Sequence, residues 1–180
     1  MASEDFSFPF FYSYPPYFTL QPVQETREKQ SGLWRDLILK YCKHYKVYKL
    51  SIDSTDELPL FVNKAIDRRL SSEARAAFVS DLVKQGNAQW LDKLQRQVLI
   101  LWKRLDEWAA TIHSWARESG LEDMVTTVEE LSSGDDTRGT ELDGLPHELL
   151  IQALRLLEAR GKAKLFKGTS ADDEGVKFFA

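Results

Sequence analysis

The side chains able to do covalent or metal chemistry are few and scattered. Three histidines, His44, His113 and His147, stand far apart, with none of the three- or four-residue spacings that place two imidazoles on one helix face for a metal. A single cysteine, Cys42, excludes an internal disulfide and fits a reducing compartment such as the cytosol or nucleus. On a helix it reads as a small core filler. The carboxylate pairs Asp106-Glu107, Glu129-Glu130 and Asp135-Asp136 are sequence neighbours on helix starts or loops, an arrangement that serves solvation and not a shared proton. There is no Gly-rich phosphate loop. The expectation is a chain with no catalytic residue, no metal ligand set and no cofactor site, which is not an enzyme.

A different chemistry is concentrated at the amino end. Aromatic residues occupy positions 6, 8, 10, 11, 12, 14, 17 and 18, interleaved with Pro9, Pro15 and Pro16. The spacing has no helical period, and the prolines restrict the backbone and remove amide donors, so an extended arm is expected in place of a helix or central strand. Each buried aromatic removes roughly 150–250 Å² from water, several kcal/mol gross at about 25 cal/mol per Å². Eight such side chains must dock somewhere. Pro15-Pro16-Tyr17-Phe18 is close to the Pro-Pro-any-Tyr ligand of WW domains, with Phe in the last place. Docking on the chain's own first domain is the other reading of the same residues.

The body that must carry this arm is long enough for one ordinary domain or two small ones, at 180 residues and 43% hydrophobic content. No run of about eighteen apolar residues occurs, and Glu4 and Asp5 stand where a secretory signal has a basic residue, so a soluble, unsecreted protein is expected. The formal charge is −4, but it is uneven: residues 1–102 hold 14 Lys and Arg against 12 Asp and Glu, whereas residues 103–180 hold 10 against 16, a balance of −6. An acidic second half is a poor phosphate-binding surface and would suit a basic helix as partner.

Along the chain, Trp34, Leu37, Ile38, Tyr41 and Tyr45 predict one face of an amphipathic helix. An extended piece over 47–52 follows, then a second helix opening at Pro59 with Leu60, Phe61, Ile66 and Leu70. Ser71 or Ser72 caps a third helix that Gly86 ends, and two strand-like pieces, 88–91 and 98–102, form a hairpin. The same order then recurs. A helix from Leu105 carries Trp108, Ile112 and Trp115, residues 124–128 are extended, residues 129–131 begin a brief helix, and 132–144 is a polar loop expected to be mobile. A helix opened by Leu145-Pro146 ends at Gly161, and a hairpin of 163–166 and 176–179 closes the chain. Setting Gly86 on Gly161 brings Leu82 onto Leu157 and Ala88 onto Ala163, an internal duplication.

Helix, strand, helix, helix, strand, strand is the order of a winged helix. The expected fold is α+β and mainly helical: an arm over 1–22, a winged-helix domain over 23–102 and a second over 103–180. A winged helix can read DNA with its third helix, but here those helices carry balanced charge: Glu73, Arg75, Asp81 and Lys84 in the first, Glu148, Arg155, Glu158 and Arg160 in the second. Direct nucleic-acid binding is therefore not expected, and a transcription-associated winged-helix factor is the alternative function.

Several segments together resemble one known family. Pro15-Pro16-Tyr17-Phe18-Thr19-Leu20-Gln21-Pro22, residues 26–30, Lys84-Gln85-Gly86-Asn87-Ala88-Gln89-Trp90-Leu91-Asp92-Lys93, the Trp102 and Trp108 pair and the closing Gly175-Val176-Lys177-Phe178-Phe179 are similar to the small-subunit family of the endosomal sorting complex ESCRT-II. The resemblance covers essentially the whole chain. It implies a non-enzymatic adaptor of two tandem winged helices, two copies per complex, whose arm plugs proline-aromatic motifs into the two larger winged-helix subunits. The second domain would recruit and nucleate an ESCRT-III subunit during multivesicular-body sorting of ubiquitinated cargo. Association with endosomal membranes would be indirect, through the complex, from a cytoplasmic pool, with a nuclear pool left open. On this sequence the motifs fall on Phe8, Pro9, Phe10 and Phe11, and on Pro15, Pro16, Tyr17 and Phe18; the first has one proline where the pattern has two, and both end in Phe.

Overall fold

The computed structural model describes residues 5–53, 55–168 and 173–180. The chain divides into two compact units, Met1–Trp102 and Lys103–Ala180, each a winged helix.

In the first unit, α1 (Gln24–Tyr45) buries Trp34, Leu37, Ile38 and Tyr41 of the stripe read from the sequence, and Cys42 beside them. Tyr45, one turn further, is exposed. Strand β1 (Lys49–Ser51) joins the edge of a sheet whose middle strand is β5 (Gln97–Ile100) and whose far strand is β4 (Ala88–Trp90), with Leu50 opposite Val98 and Ala88 opposite Ile100. The segment after Pro59 is not the expected helix. It forms a small hairpin, β2 (Val62–Asn63) and β3 (Arg68–Arg69), around a 3-10 turn at Lys64–Ile66. Leu60, Phe61, Val62 and Asn63 are all buried, which one face of a helix cannot achieve. The Asn63 side chain accepts from the Ala65 amide, and Asp67 takes a left-handed conformation (φ 52°), local bonding that competes with helix formation.

Helix α2 (Ser72–Lys84) starts where Ser71 accepts from the Ala74 amide at 3.1 Å. It ends at Gly86 (φ 79°), and the Asn87 amide donates back to the Leu82 carbonyl at 2.9 Å. The second unit repeats this ending 75 residues on. Gly161 (φ 71°) follows α5 (His147–Ala159), and the Lys162 amide donates to Leu157 at 2.8 Å.

That unit contains α3 (Leu105–Glu118), β6 (Val125–Thr127), the one-turn α4 (Glu130–Ser133), α5, β7 (Ala163–Phe166) and β8 (Gly175–Phe178). Its sheet order, β6-β8-β7, matches β1-β5-β4. The tip of this hairpin, 169–172, lies outside the described residues. Helix α3 buries Trp108, Ala109, Ile112 and Ala116 and packs on α5; Trp115, expected on that face, is only half-buried.

The 132–144 loop is a second departure. It is packed: Thr137 is fully buried, Leu142 is 1% exposed, the Thr140 hydroxyl donates to the Thr137 carbonyl at 2.6 Å, and the Gly144 amide closes the base on Ser132 at 2.8 Å. Its polar composition concealed two buried side chains that hold it down.

Candidate docking surfaces

The arm is part of the first unit's core. Where extended geometry was expected, two 3-10 turns occur, Phe10–Ser13 and Pro15–Phe18, joined by Tyr14 in an extended conformation. The first turn closes through the Tyr12 amide on Pro9 at 3.1 Å and the Tyr14 amide on Phe11 at 3.0 Å, the second through the Tyr17 amide on Tyr14 at 3.1 Å. Proline favours such starts, because its missing donor is at a position that needs none.

The turns aim Phe11, Tyr12 and Phe18 inward. Phe11 and Phe18 meet the Trp34 indole edge-on, with centroids 5.2 and 5.3 Å away. Tyr12 reaches further, its hydroxyl donating to the Pro59 and Val62 carbonyls, while Asn63 Nδ2 donates to the Tyr12 carbonyl at 2.7 Å. Burial, helped by nearby Tyr41, pushes the Tyr12 hydroxyl up to about 12. Helix α1 satisfies the arm's backbone: Trp34 Nε1 donates to Tyr17 O at 2.8 Å, and the buried Gln30 amide donates to Tyr17 O at 2.9 Å and Thr19 O at 2.7 Å. A complete core in the first unit therefore includes residues 11, 12 and 18. The sequence signal that could have found these anchors was a glutamine, Gln30, one turn before Trp34 on the apolar stripe.

The eight predicted docking residues consequently divide. Phe11 and Phe18 are buried; Phe8, Pro15 and Tyr17 are half-buried; Pro9, Phe10 and Pro16 are exposed. Phe8 stacks on Tyr12 at 4.0 Å. Phe10, 78% exposed, packs edge-on against Tyr14, 42% exposed, at 4.7 Å, so the turns lift a paired aromatic ridge into solvent. Beside the arm, Pro16, Tyr17, Gln30 and Leu33 line a hollow of about 350 Å³.

In the second unit, Trp115, Glu118, Thr140, Glu141 and Leu142 line a cleft of about 460 Å³ between α3 and the packed loop. Lys103 stands at its side, paired with Glu141 and lying 5.3 Å from the Trp108 ring centre.

The residues capable of chemistry lie in separate environments. His113 Nε2 is 2.7 Å from the Phe179 carbonyl, His147 Nε2 is 3.4 Å from a Glu174 oxygen, and His44 packs edge-on against Phe6. Cys42 is fully buried, and burial pushes its thiol up. Among the described residues no group of three or more His, Cys, Asp or Glu could hold a metal ion, and no helix is long and apolar enough to cross a membrane. On α2, the helix expected from the sequence to face a DNA groove, Arg75 is fully buried over the Phe61 ring, bonded to Asp56 Oδ1 at 2.7 Å and the Asp53 carbonyl at 2.8 Å. A helix that spends its central guanidinium on its own loop has one cation fewer for a DNA groove.

Two winged helices in tandem, the first carrying an aromatic arm clamped into its core, define a tandem winged-helix protein. The chain belongs to the ESCRT-II complex subunit family, whose description matches residues 11–146. It is 56% identical over 174 residues to vacuolar protein sorting-associated protein 25 of Arabidopsis thaliana, covering 97% of this chain and 96% of the relative. The human protein of the same name is 39% identical, with 97% and 98% covered. Among solved structures, subunit VPS25 of the endosomal trafficking complex ESCRT-II superposes with a TM-score of 0.84 at 32% identity, over 94% of this chain and 97% of that one. A chain in a crystal structure of the endosomal complex ESCRT-II (VPS22/VPS25/VPS36) gives 0.82 at 33% identity, over 99% and 100%.

Proposed function

We propose that this chain is the small adaptor of an ESCRT-II assembly in multivesicular-body sorting of ubiquitinated cargo. Two copies dock on two larger winged-helix subunits, the counterparts of VPS22 and VPS36 in the related complex. The chain works in the cytoplasm and reaches endosomal membranes through that complex. Its second unit presents a face to an ESCRT-III subunit and starts that subunit's polymerisation.

The observation that carries the docking half of this reading is the Phe10–Tyr14 ridge. An exposed phenylalanine is costly in water, and here its backbone is held by the buried Phe11 and Tyr12 that follow it and by the Tyr12 amide's bond to the Pro9 carbonyl. Rigid aromatic anchors at the centre of an interface characteristically supply 2 kcal/mol or more of binding. The test is co-expression with the two larger subunits. The double substitution Phe10→Ala, Tyr14→Ala removes the chain from the purified complex while its own unfolding curve is unchanged; stoichiometric assembly of the double variant overturns the reading. Deleting residues 1–18 is a poorer test, because it also strips Phe11, Tyr12 and Phe18 from the core.

A further inference from the structure

Residues 68–71 read Arg-Arg-Leu-Ser, and of all the serines and threonines in the chain Ser71 alone has arginine at both the second and the third position before it. The first unit displays this run on its surface in extended backbone. Arg68 and Arg69 form β3, both exposed, and pair with Asn63 and Val62 of β2. Leu70 turns inward, fully buried, and its amide donates to the Phe61 carbonyl at 3.0 Å. Ser71 follows with extended torsions (φ −66°, ψ 160°) and is exposed. The two-residue alternation of a strand therefore spends Leu70 on the core and leaves Arg69 and Ser71 outside. The two guanidinium groups differ in their ties. Arg69 is clasped by the Asp56 carbonyl at 2.6 Å and by Glu57 Oε1 at 2.5 Å, whereas Arg68 donates to the neighbouring Asp67 carbonyl at 3.0 Å.

We propose that Ser71 is a phosphorylation site for a serine kinase whose substrate cleft is lined with carboxylates. The planar fork of an arginine binds a carboxylate through two parallel hydrogen bonds, and kinases select substrates by such charge patterns. In the transfer Ser71 Oγ attacks the γ-phosphorus of ATP. The Oγ–P bond forms, the bond from that phosphorus to the bridging oxygen breaks, ADP departs, and the hydroxyl proton passes to a carboxylate of the kinase. The fold accommodates the product. Ser71 is the N-cap of the 13-residue α2, its Oγ accepting from the Ala74 amide at 3.1 Å. A phosphate there brings further acceptor oxygens and a charge of about −1.5 to −2 to the positive end of the helix. Glu73 in the same turn opposes that charge, and the arginines just before it offset it. Phosphorylation would thus reverse the local surface charge of the first unit without dismantling its core, a property separate from the docking reading.

The test incubates the native full chain with ATP and a kinase selective for arginine at these two positions, the catalytic subunit of cyclic-AMP-dependent protein kinase, and locates the phosphate by tandem mass spectrometry. Wild type is expected to gain one phosphate, on Ser71. Ser71→Asn, which keeps a capping oxygen, should gain none there, and Arg68→Gln should lower the initial rate tenfold or more. Hydrogen exchange along α2 should be unchanged or slower in the phosphorylated chain. A native chain that stays unlabelled while a free peptide of residues 64–76 is labelled would show that the fold hides the run, and would overturn the proposal. Phosphate on Ser72 or elsewhere in place of Ser71, or an undiminished rate for Arg68→Gln, would overturn it too. Collapse of α2 protection on phosphorylation would reject the claim that the helix start accommodates the charge.

Discussion

Phe18→Ala and Phe10→Ala, two identical chemical changes eight positions apart, should have opposite consequences. Phe18 is 4% exposed and touches Trp34 and Tyr12; Phe10 is 78% exposed and touches Tyr14. Truncating a core phenylalanine costs about 3–5 kcal/mol, the lost transfer energy plus the cavity left behind. The arm is terminal and can partly collapse onto Trp34, so the lower end, about 3 kcal/mol, is expected for Phe18. That is a fifth or more of the roughly 5–15 kcal/mol that holds a domain folded. Truncating Phe10 forfeits one edge-on pair at the surface and should move stability by no more than about 0.5 kcal/mol. Hydrogen exchange of the α1 amides around Trp34 reads the difference directly, since their protection reports opening of the first unit. Binding to the larger subunits reads the complement: Phe10→Ala should lose about 2 kcal/mol of affinity. An α1 protection loss under about 1 kcal/mol for Phe18→Ala would refute the claim that the arm belongs to the core. Comparable losses for the two variants would refute the division into anchors and ridge.

Four further outcomes follow from contacts already described. Tyr12→Phe leaves the Pro59 and Val62 carbonyls without their donor and should cost about 1–3 kcal/mol in urea unfolding. Because the folded Tyr12 hydroxyl titrates at about 12 against the unfolded value of 10.0, its contribution is complete below pH 10 and is lost as the pH rises towards 12; spectrophotometric titration should lose its latest phase in the Phe variant. Asp56→Asn leaves the Arg75 guanidinium buried without its counter-charge and should cost about 3 kcal/mol, visible as a lowered urea midpoint with unchanged slope. Leu142→Ala should release the 132–144 loop, at a cost of about 2–5 kcal/mol to local packing, and let trypsin cut rapidly after the surface residue Arg138, where the packed backbone of wild type should be cut slowly. Native Cys42 should resist thiol reagents and react at once in denaturant, because the buried thiol is both inaccessible and held protonated.

Most of the fold was legible because its helices announce themselves twice, by apolar period and by terminator. Ser71 and the glycines at 86, 120 and 161 stand where the caps are, and the repeat of the Gly86 ending at Gly161 makes the duplication visible in backbone bonds. The misreadings have a common cause. At Pro59 and in the 132–144 loop the deciding contacts are side chain to backbone or over long range, such as Asn63 to Tyr12, and these leave no period in the sequence. The arm fails for the same reason. Its prolines excluded helix and sheet, but nothing local reveals that Gln30 and Trp34 would satisfy its carbonyls and bend it into turns. Composition therefore marked the aromatics as a set that must dock somewhere and could not tell which of them the chain keeps for itself.

Clamping the arm changes how recognition would work. A disordered proline-aromatic motif loses conformational freedom when it binds, so part of its contact energy is consumed in ordering. Here the turns are set during folding, and the Phe10 and Tyr14 rings are held in one mutual orientation beforehand. A partner would then select a rigid three-dimensional shape in place of a string of residues. A free peptide copying residues 5–18 would lack Trp34, Gln30 and Asn63, and with them the geometry that makes the ridge recognisable.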